Sequence, residues 1–534
     1  MRRAMQRKIA VLAALVLISS MVYAQDFDGT ESFAAEPENF DSGFGDDFDF
    51  GFDEGFSGSS ASASVVAISG EIEAAFLGYA HDFSSGKKAK AASLGDMVSG
   101  MLNFSIADPK ANVTAHIGFN LSVDSFIDLA NISSANAAHT PLILDEAYLQ
   151  AFFGPVNITA GYKKLFWGRA DSLGPLDIIN PLDYSDLTEI SDLNKLKIAR
   201  PLLNINWYIN DTTKLEAVFI PNFAGHRFTM NEGDRWAPAQ FSDIAKKVKN
   251  NITDEIMRFL AANPAYSAVA PVLPSLTENF SGYMPPFPDT SSLEYFQAGL
   301  RFATSIGSID IGGQYFYGNL FQPGFTMGSP EKFVADLIPG LASSLSGGSS
   351  DPYTGNLSLL PTKINYTRYH QIGIDYAQVL FGFTIRAEAA IHLTEDMAGT
   401  DGSTANPFVG WSLGFDRDIV WGINFNFQCN ETVRLFHKKL GKNPIMDFEA
   451  GTDPTATRLT MRVAKSFLKD NLETAVTALW DIEKSDCYII PAINWTIKEV
   501  KAELSAGIFA GKESGDLGQY WENSFVKIGL TYSF

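Results

Sequence analysis

Apolar and polar residues alternate with a period of two from Val65 to Phe534, and few folds tolerate that pattern over so long a stretch. In NSFVKIGLTYSF, Val526, Ile528, Leu530, Tyr532 and Phe534 fall on one face. Phe525, Lys527, Gly529, Thr531 and Ser533 fall on the other. KAELSAGIFA sets Ala502, Leu504, Ala506 and Ile508 against Lys501, Glu503, Ser505 and Gly507. FGFTIRAEAAIH sets Phe383, Ile385, Ala387, Ala389 and Ile391 against Thr384, Arg386, Glu388 and His392. One face is steadily apolar, and the other carries charges, amides and glycine. A soluble sandwich and a transmembrane barrel both show such alternation.

Connection lengths separate the two. Eighteen strand candidates fall near 65–80, 97–107, 111–123, 142–154, 156–167, 201–209, 213–220, 293–305, 307–317, 367–378, 380–393, 409–416, 419–430, 457–468, 471–481, 486–497, 499–510 and 523–534. Tight turns at Asp108-Pro109-Lys110, Gly154-Pro155, Asn210-Asp211, Ser305-Ile306-Gly307, Leu380, Asp416-Arg417-Asp418, Lys469-Asp470-Asn471 and Lys498-Glu499 alternate with mostly longer loops, the longest at 221–292. Short turns on one side and long loops on the other mark an outer-membrane barrel. The expectation is an all-β fold, a transmembrane antiparallel β-barrel of about 18 strands (range 14–18). Both termini then lie on the short-turn, periplasmic side.

Residues 1–24 read as a signal peptide: Arg2, Arg3, Arg7 and Lys8, an apolar core, then Val22-Tyr23-Ala24, so that the mature chain starts at Gln25. No Cys follows the core, which argues against a lipoprotein; an uncleaved anchor is the alternative. No later stretch approaches 18 uninterrupted apolar residues, so a helical span is excluded. The formal net charge is −21, and residues 65–534 keep 36 Lys and Arg against 50 Asp and Glu, a net of −14. That balance excludes nucleic acid as a partner. Cys429 and Cys487 form no disulfide framework, and as members of strands three steps apart, roughly 14 Å, they are expected not to bridge unless a bulge or loop moves a thiol. Metal-ligand spacings are absent, so no metal and no cofactor is expected.

Residues 25–64 stand apart, with 11 carboxylates, no Lys or Arg and eight Phe. Self-repulsion and Gly/Ser content predict a disordered periplasmic leader ahead of the barrel at 65–534. The plain reading is a solvated tether. The sharper one makes Phe48-Asp49-Phe50-Gly51-Phe52 a contact for a periplasmic chaperone or assembly factor. The chain ends Gly529-Leu530-Thr531-Tyr532-Ser533-Phe534, which resembles the C-terminal assembly signal of Gram-negative outer-membrane proteins. Tyr532 and Phe534 would carry it, with the barrel-assembly machinery as partner and outer-membrane lipid as solvent. Trp167, Trp207, Trp421, Trp480, Trp495 and Tyr532 suit an aromatic girdle.

One loop is chemically denser than the rest. WGRADSLGPLDIINPLDY (167–184) follows strand five, expected to end at Trp167, and returns as strand six at Pro201. The stretch 146–187 resembles an uncharacterised family of Gram-negative outer-membrane barrels with a W-G-x-x-D step and an N-P-x-D loop. Arg200-Pro201, Ile220-Pro221, the 313–318 strand with Gln322-Pro323, and Arg386-Ala387-Glu388-Ala389-Ala390 extend that resemblance in patches over about half the chain. The family's usual Gly-Arg is here Gly161-Tyr162-Lys163. The resemblance implies a porin-like barrel, similar in design to alginate-export barrels, and no enzyme.

Physics gives the loop a task. A wide unobstructed lumen leaks, and inward-folded charged loops narrow it. Gly168 and Gly174 permit tight turns, Pro175 and Pro181 stiffen the path, and Asn180 caps a turn. Trp167, Gly168, Arg169, Asp171, Asp177, Asn180, Pro181 and Asp183 are therefore the candidate constriction or latch. The plainer alternative has Arg169 and Asp171 pairing with Lys163, Glu146, Arg386 and Glu388 to close the fold over the strand ends. The lumen-lining candidates are Glu146, Lys163, Arg301, Asp375, Arg386, Glu388, Arg458 and Arg462. Their mixed signs leave solute charge open. His116, His370 and His392 could face the lumen, yet no nucleophile–base signature accompanies them, so an enzyme is not expected. Phe241, Ile244, Val248, Ile252, Ile256 and Leu260 form a helical stripe in loop 221–292, packed on its own loop or serving as a lid, and 330–345 holds a second helical piece. The functional expectation is passive or weakly selective passage of small solutes. A specific transporter of hydrophobic or polymeric molecules, of fatty-acid or alginate-export type, is the first alternative. A surface adhesin or structural barrel is the second.

Overall fold

The computed structural model describes residues 65–81, 98–122, 143–190, 192–229, 235–274, 287–327, 330–346, 362–439 and 451–534. The expected signal peptide and acidic leader lie outside these residues. The strands in chain order are β1 (Val65–Tyr79), β2 (Val98–Asp108), β3 (Val113–Ser122), β4 (Leu144–Phe153), β5 (Val156–Lys163), β6 (Arg200–Asn210), β7 (Thr213–Ile220), β8 (Gln297–Ile306), β9 (Ile309–Asn319), β10 (Gly324–Met327), β11 (Thr362–Asn365), β12 (Arg368–Leu380), β13 (Phe383–Thr394), β14 (Phe408–Ile419), β15 (Ile423–Arg434), β16 (Thr455–Phe467), β17 (Leu472–Asp481), β18 (Asp486–Ile497), β19 (Val500–Ala510) and β20 (Phe525–Ser533). All but β10 and β11 form one sheet of 18 strands, each antiparallel to its chain neighbour. β20 pairs back onto β1, with Phe525 opposite Tyr79 and Ser533 opposite Glu71, so the sheet is closed. β10 and β11 make a separate hairpin between β9 and β12, which pair directly.

Closure is what the alternation demanded. It leaves the 18-stranded sheet without a free edge, which is what a sheet in lipid requires. Residues paired across strands share a face. On β1, Ile68, Ile72 and Phe76 are exposed, as are Ile372 and Ile374 on β12 and Val526, Ile528 and Leu530 on β20. The other face holds buried polar groups: Asn103, Thr159, Asn204, Gln314, Gln371, Glu388 and Gln428. An apolar exterior around a polar interior suits a hydrocarbon surrounding and would be untenable in water. No described helix is long and apolar enough to cross a membrane.

Turn positions differ in detail from the sequence reading. Asp416, Arg417 and Asp418 belong to β14, and the turn follows at Val420-Trp421-Gly422, where Trp421 and Gly422 both take positive φ. Likewise Phe381-Gly382, not Leu380, turns β12 into β13. Paired positive-φ residues are the two-residue hairpin geometry that matches strand twist. Trp207, Trp421, Trp480, Trp495 and Tyr532 are all exposed near strand ends, as a girdle requires.

At the long-loop end, the α-helix α1 (Leu193–Leu196) is a single turn, while α2 (Ala239–Ala262) and α3 (Pro330–Leu345) are longer. α2 does not pack on its own loop alone. Its Ile252 and Ile256 share a buried cluster with Val269 from the following 3-10 helix and with Val334, Leu337 and Ile338 of α3. Two long loops thus build one small core of their own. Leu260 joins its margin, while the side chains of Phe241, Ile244 and Val248 lie outside the described set.

Candidate functional site

The β5–β6 connection enters the barrel and is fastened there by named bonds. β5 stops at Lys163, four residues before Trp167, because its ladder is replaced by side chains. The Lys164 N–H donates to Glu146 Oε1 (2.6 Å) and the Leu165 N–H to Asn180 Oδ1 (2.7 Å). The Asn180 amide donates in turn to the carbonyls of Lys163 (3.1 Å) and Ile198 (2.9 Å), joining the two ends of the loop. Beside it, the Ile198 N–H donates to the Pro181 carbonyl (2.9 Å). Buried Lys197 donates to the Leu165 carbonyl (3.1 Å) and to Asp177 Oδ1 (2.8 Å). Burial pushes the Asp177 carboxyl up against the opposing pull of Lys197.

Trp167 is not a girdle residue. It is 3% exposed, donates from Nε1 to Glu216 Oε1 on β7 (3.1 Å) and stands edge-on to Phe316 of β9. The early end of β5 puts its ring inside, where inward Gly299 leaves room: a Cβ there would lie 2.6 Å from the indole. Gly168 follows at φ +96°, a conformation that side-chain-bearing residues rarely adopt.

The next residues cross to the wall formed by β9, β12, β13 and β15. Arg169 Nε donates to Asp375 Oδ1 (2.8 Å) and Nη1 to Asp310 Oδ2 (3.4 Å), while Arg301 Nη2 holds the other Asp375 oxygen (2.7 Å). The Glu388 carboxylate, buried on β13, accepts three loop N–H groups: Arg169, Ala170 (2.8 Å) and Leu176 (3.4 Å). Asp171 pairs with Arg386 (2.9 Å), which also holds Asp416 (2.9 Å), and accepts from the Asn426 amide (2.9 Å). Neutral amides complete the seam. Gln314 donates to the Leu176 carbonyl (3.0 Å), Gln371 to the Pro175 carbonyl (2.7 Å) and Asn430 to the Leu173 carbonyl (2.9 Å), while Gln428 Oε1 accepts from the Ser172 N–H (3.0 Å). Wall glycines mark the seat: Cβ atoms at Gly373 and Gly410 would collide with Leu176 and Pro175.

Further along, the segment reaches a different part of the wall. Leu187 is buried with Leu77 and Tyr79 of β1, Tyr488 of β18, Phe509 of β19 and Phe525 of β20. Trp236, from the β7–β8 loop, fills the same cluster. Lys527 Nζ donates to Glu189 Oε1 (2.6 Å) and also meets Glu73 (2.7 Å) and Glu503 (4.0 Å). Lys527 and Lys195 hold the Glu189 carboxyl below its usual range against the cost of burial.

Between these two anchors, the loop is stitched to residues 226–228. Asp183 bridges to Arg227 in backbone register and as an ion pair (3.0 Å). The Leu182 N–H donates to His226 Nδ1 (2.9 Å), so that nitrogen carries no proton. Burial drives the His226 imidazole down to about 4, well below its ordinary 6.5. A released loop would therefore take up a proton that the docked one refuses. Docking stability, complete above pH 6.5, falls as the pH drops from about 6.5 toward 4, by about 3 kcal/mol in all. Hydrogen exchange of the Leu182 amide, corrected for its intrinsic pH dependence, should accelerate at pH 4.5. A His226→Gln variant should not show that acceleration, and equal behaviour of the two would remove the link.

The structure thus brings Glu146, Arg301, Asp375, Arg386 and Glu388 to the loop. Lys163 lies beside it, on the inward face, its ammonium 4.5 Å from the Tyr148 ring. Arg458 and Arg462 do not join the seam and pair along their own wall, with Asp481 (3.7 Å) and Glu473 (2.8 Å). Tyr532 and Phe534 stack on the exterior, and the Phe534 backbone exchanges two 2.9 Å hydrogen bonds with Gly70 at the seam of closure. His116 and His392 lie on the inward face, but His370 does not: it is exposed on the exterior, bonded to Tyr315 Oη (2.8 Å). Its register with Tyr315 and Ile372 decides this. Both cysteines are free, on outward positions of β15 and β18. Sequence reasoning missed the amides Gln314, Gln371, Gln428 and Asn430 and the Lys527–Glu189 anchor. The inward phase of the alternation was their only signal.

No family model and no curated protein matches the chain. Among solved structures, it is similar to the outer membrane channel DcaP of Acinetobacter baumannii, at 9% identity over 89% of this chain and 99% of that one, with a TM-score of 0.35. It is also similar to a multiply substituted variant of the Rh. blastica porin, at 9% identity over 88% of this chain and all of that one, with a TM-score of 0.34. What this lumen can do follows from its own side chains.

Proposed function

We propose that the chain is an outer-membrane channel for passive or weakly selective passage of small solutes, narrowed by residues 167–184. The carrying observation is the loop clamped inside a closed 18-stranded barrel through Glu388, Asp375 and Arg386. An apolar exterior and a polar interior support membrane residence. A rigid, charged loop inside supports a constriction. In this reading the signal peptide is cleaved, the leader and both termini are periplasmic, and the terminal Tyr532–Phe534 strand addresses the assembly machinery. The resemblance carried by the W-G-x-x-D and N-P-x-D segments, toward porin-like and alginate-export barrels, favours the same conclusion. So does its implication that the barrel performs no catalysis.

The anchoring of the loop on two separate parts of the wall favours one second reading, a substrate-specific transporter that opens only when loaded. Single-channel conductance of the refolded protein in planar bilayers separates the two. Steady conductance is expected. Arg169→Ala leaves Asp310 and Asp375 less compensated and should raise cation preference by about twofold, whereas Asp171→Ala should shift preference toward anions. A silent bilayer with folded protein would end the open-channel reading in favour of the gated transporter.

A further inference from the structure

The exterior of the barrel carries charge only near its two ends, among the described residues on outward positions. Arg417 and Lys465 lie toward the short turns. Glu431, Arg368 and His370 lie toward the long loops, and only the last two make a basic pair. Both sit on the outward face of β12, in register with exposed Ile372 and Ile374. The Arg368 guanidinium packs over the rings of Tyr317 (4.8 Å) and Phe296 (5.7 Å). His370 lies tilted against the Tyr317 ring (4.9 Å) and bonds to Tyr315.

The pairing of Arg368 is the telling point. Nη1 donates to the Phe296 carbonyl (2.6 Å) and Nη2 to the Glu294 carbonyl. Glu294 and Glu395 are neighbours in the chain fold, yet neither carboxylate comes within 4 Å of the guanidinium. Among the described residues, two of its five donors are used and no carboxylate pairs with it. Ten residues separate His370 from the end of β12 at Leu380. At about 3.3 Å per residue and a tilt of roughly 40°, that is about 25 Å of height, the thickness of the apolar band of such barrels. The pair therefore stands where hydrocarbon gives way to headgroups, on an aromatic platform, facing the lipid.

We propose that Arg368 and His370, with Tyr315, form a binding site for the phosphate of a lipid headgroup on the outer wall at the long-loop end. Arg368 offers its remaining N–H donors in a planar fork suited to phosphate oxygens, and the bonded His370–Tyr315 pair adds one more donor beside it. The aromatic faces hold the cation in place and give the first methylenes of the lipid an apolar surface. The site rests on the reading of the barrel as membrane-embedded.

The test uses the full mature chain, refolded and studied by native mass spectrometry with phosphatidylglycerol or phosphatidylcholine. Wild type should retain phosphatidylglycerol in preference to phosphatidylcholine. The R368Q/H370Q double variant should lose that preference by about tenfold, the scale of one or two charge-assisted bonds. Millimolar inorganic phosphate should compete only weakly, because it lacks the acyl chains. An unchanged preference in a double variant shown to be folded by heat-modifiable migration overturns the site, as does full displacement by inorganic phosphate. A wild-type chain that inserts into no bilayer overturns the membrane reading itself, and this site with it.

Discussion

Glu388→Ala is expected to release residues 168–176 from the wall and raise single-channel conductance severalfold. Three backbone N–H groups converge on that carboxylate, and no other acceptor replaces it. Each orphaned donor costs about 1–3 kcal/mol if the loop stays docked, so the loop instead moves into water, where its donors are satisfied. Glu388→Gln keeps one acceptor oxygen and should give an intermediate, flickering conductance. Gly168→Val attacks the same seat from the loop side, through a φ of +96° and a collision with Glu388. If Glu388→Ala and Gly168→Val both fold and both conduct like wild type, the loop does not limit the pore.

Lys527→Met should destabilise the barrel by about 3–5 kcal/mol, because it leaves a cluster of carboxylates without their shared cation. Glu189 and Glu73 lie 2.6 and 2.7 Å from the ammonium, and Glu503 lies 4.0 Å away. Urea titration read by heat-modifiable migration measures the loss. Lys527→Arg should recover most of it. A loss below about 1 kcal/mol for Lys527→Met would mean that water already screens this cluster.

The architecture was almost wholly legible in the alternation. Closing a sheet in lipid leaves few choices, and all eighteen expected strands form it, with ends shifted by a few residues. The shifts have local causes. Trp167 left the expected strand because Asn180 and Glu146 captured the N–H groups that a ladder would have used. His370 was misplaced because periodicity gives two faces without naming the inner one at a strand end, where aromatic and polar residues occupy both. At the loop, charge and turn chemistry singled out Arg169, Asp171, Asp177 and Asn180. Of their partners, Arg386 and Glu388 were among those the inward charges suggested, whereas Asp375 and Asn426, some 200 residues or more further along, had no signal that matched them to this loop. Neutral amides such as Gln371 look alike whether they line water or grip a backbone.

The seat of this loop also sets an order of events. Residues 167–190 leave the barrel wall between β5 and β6, but the groups that hold them arrive much later in the chain: Gln314, Asp375, Glu388, Gln428 and finally Lys527. A chain emerging from its N-terminus carries the segment without its full seat until the last strand is in place. Burial of Trp167 and Leu187 is then a clock for closure. The first reports that the middle strands have come round, and the second that β20 has met β1.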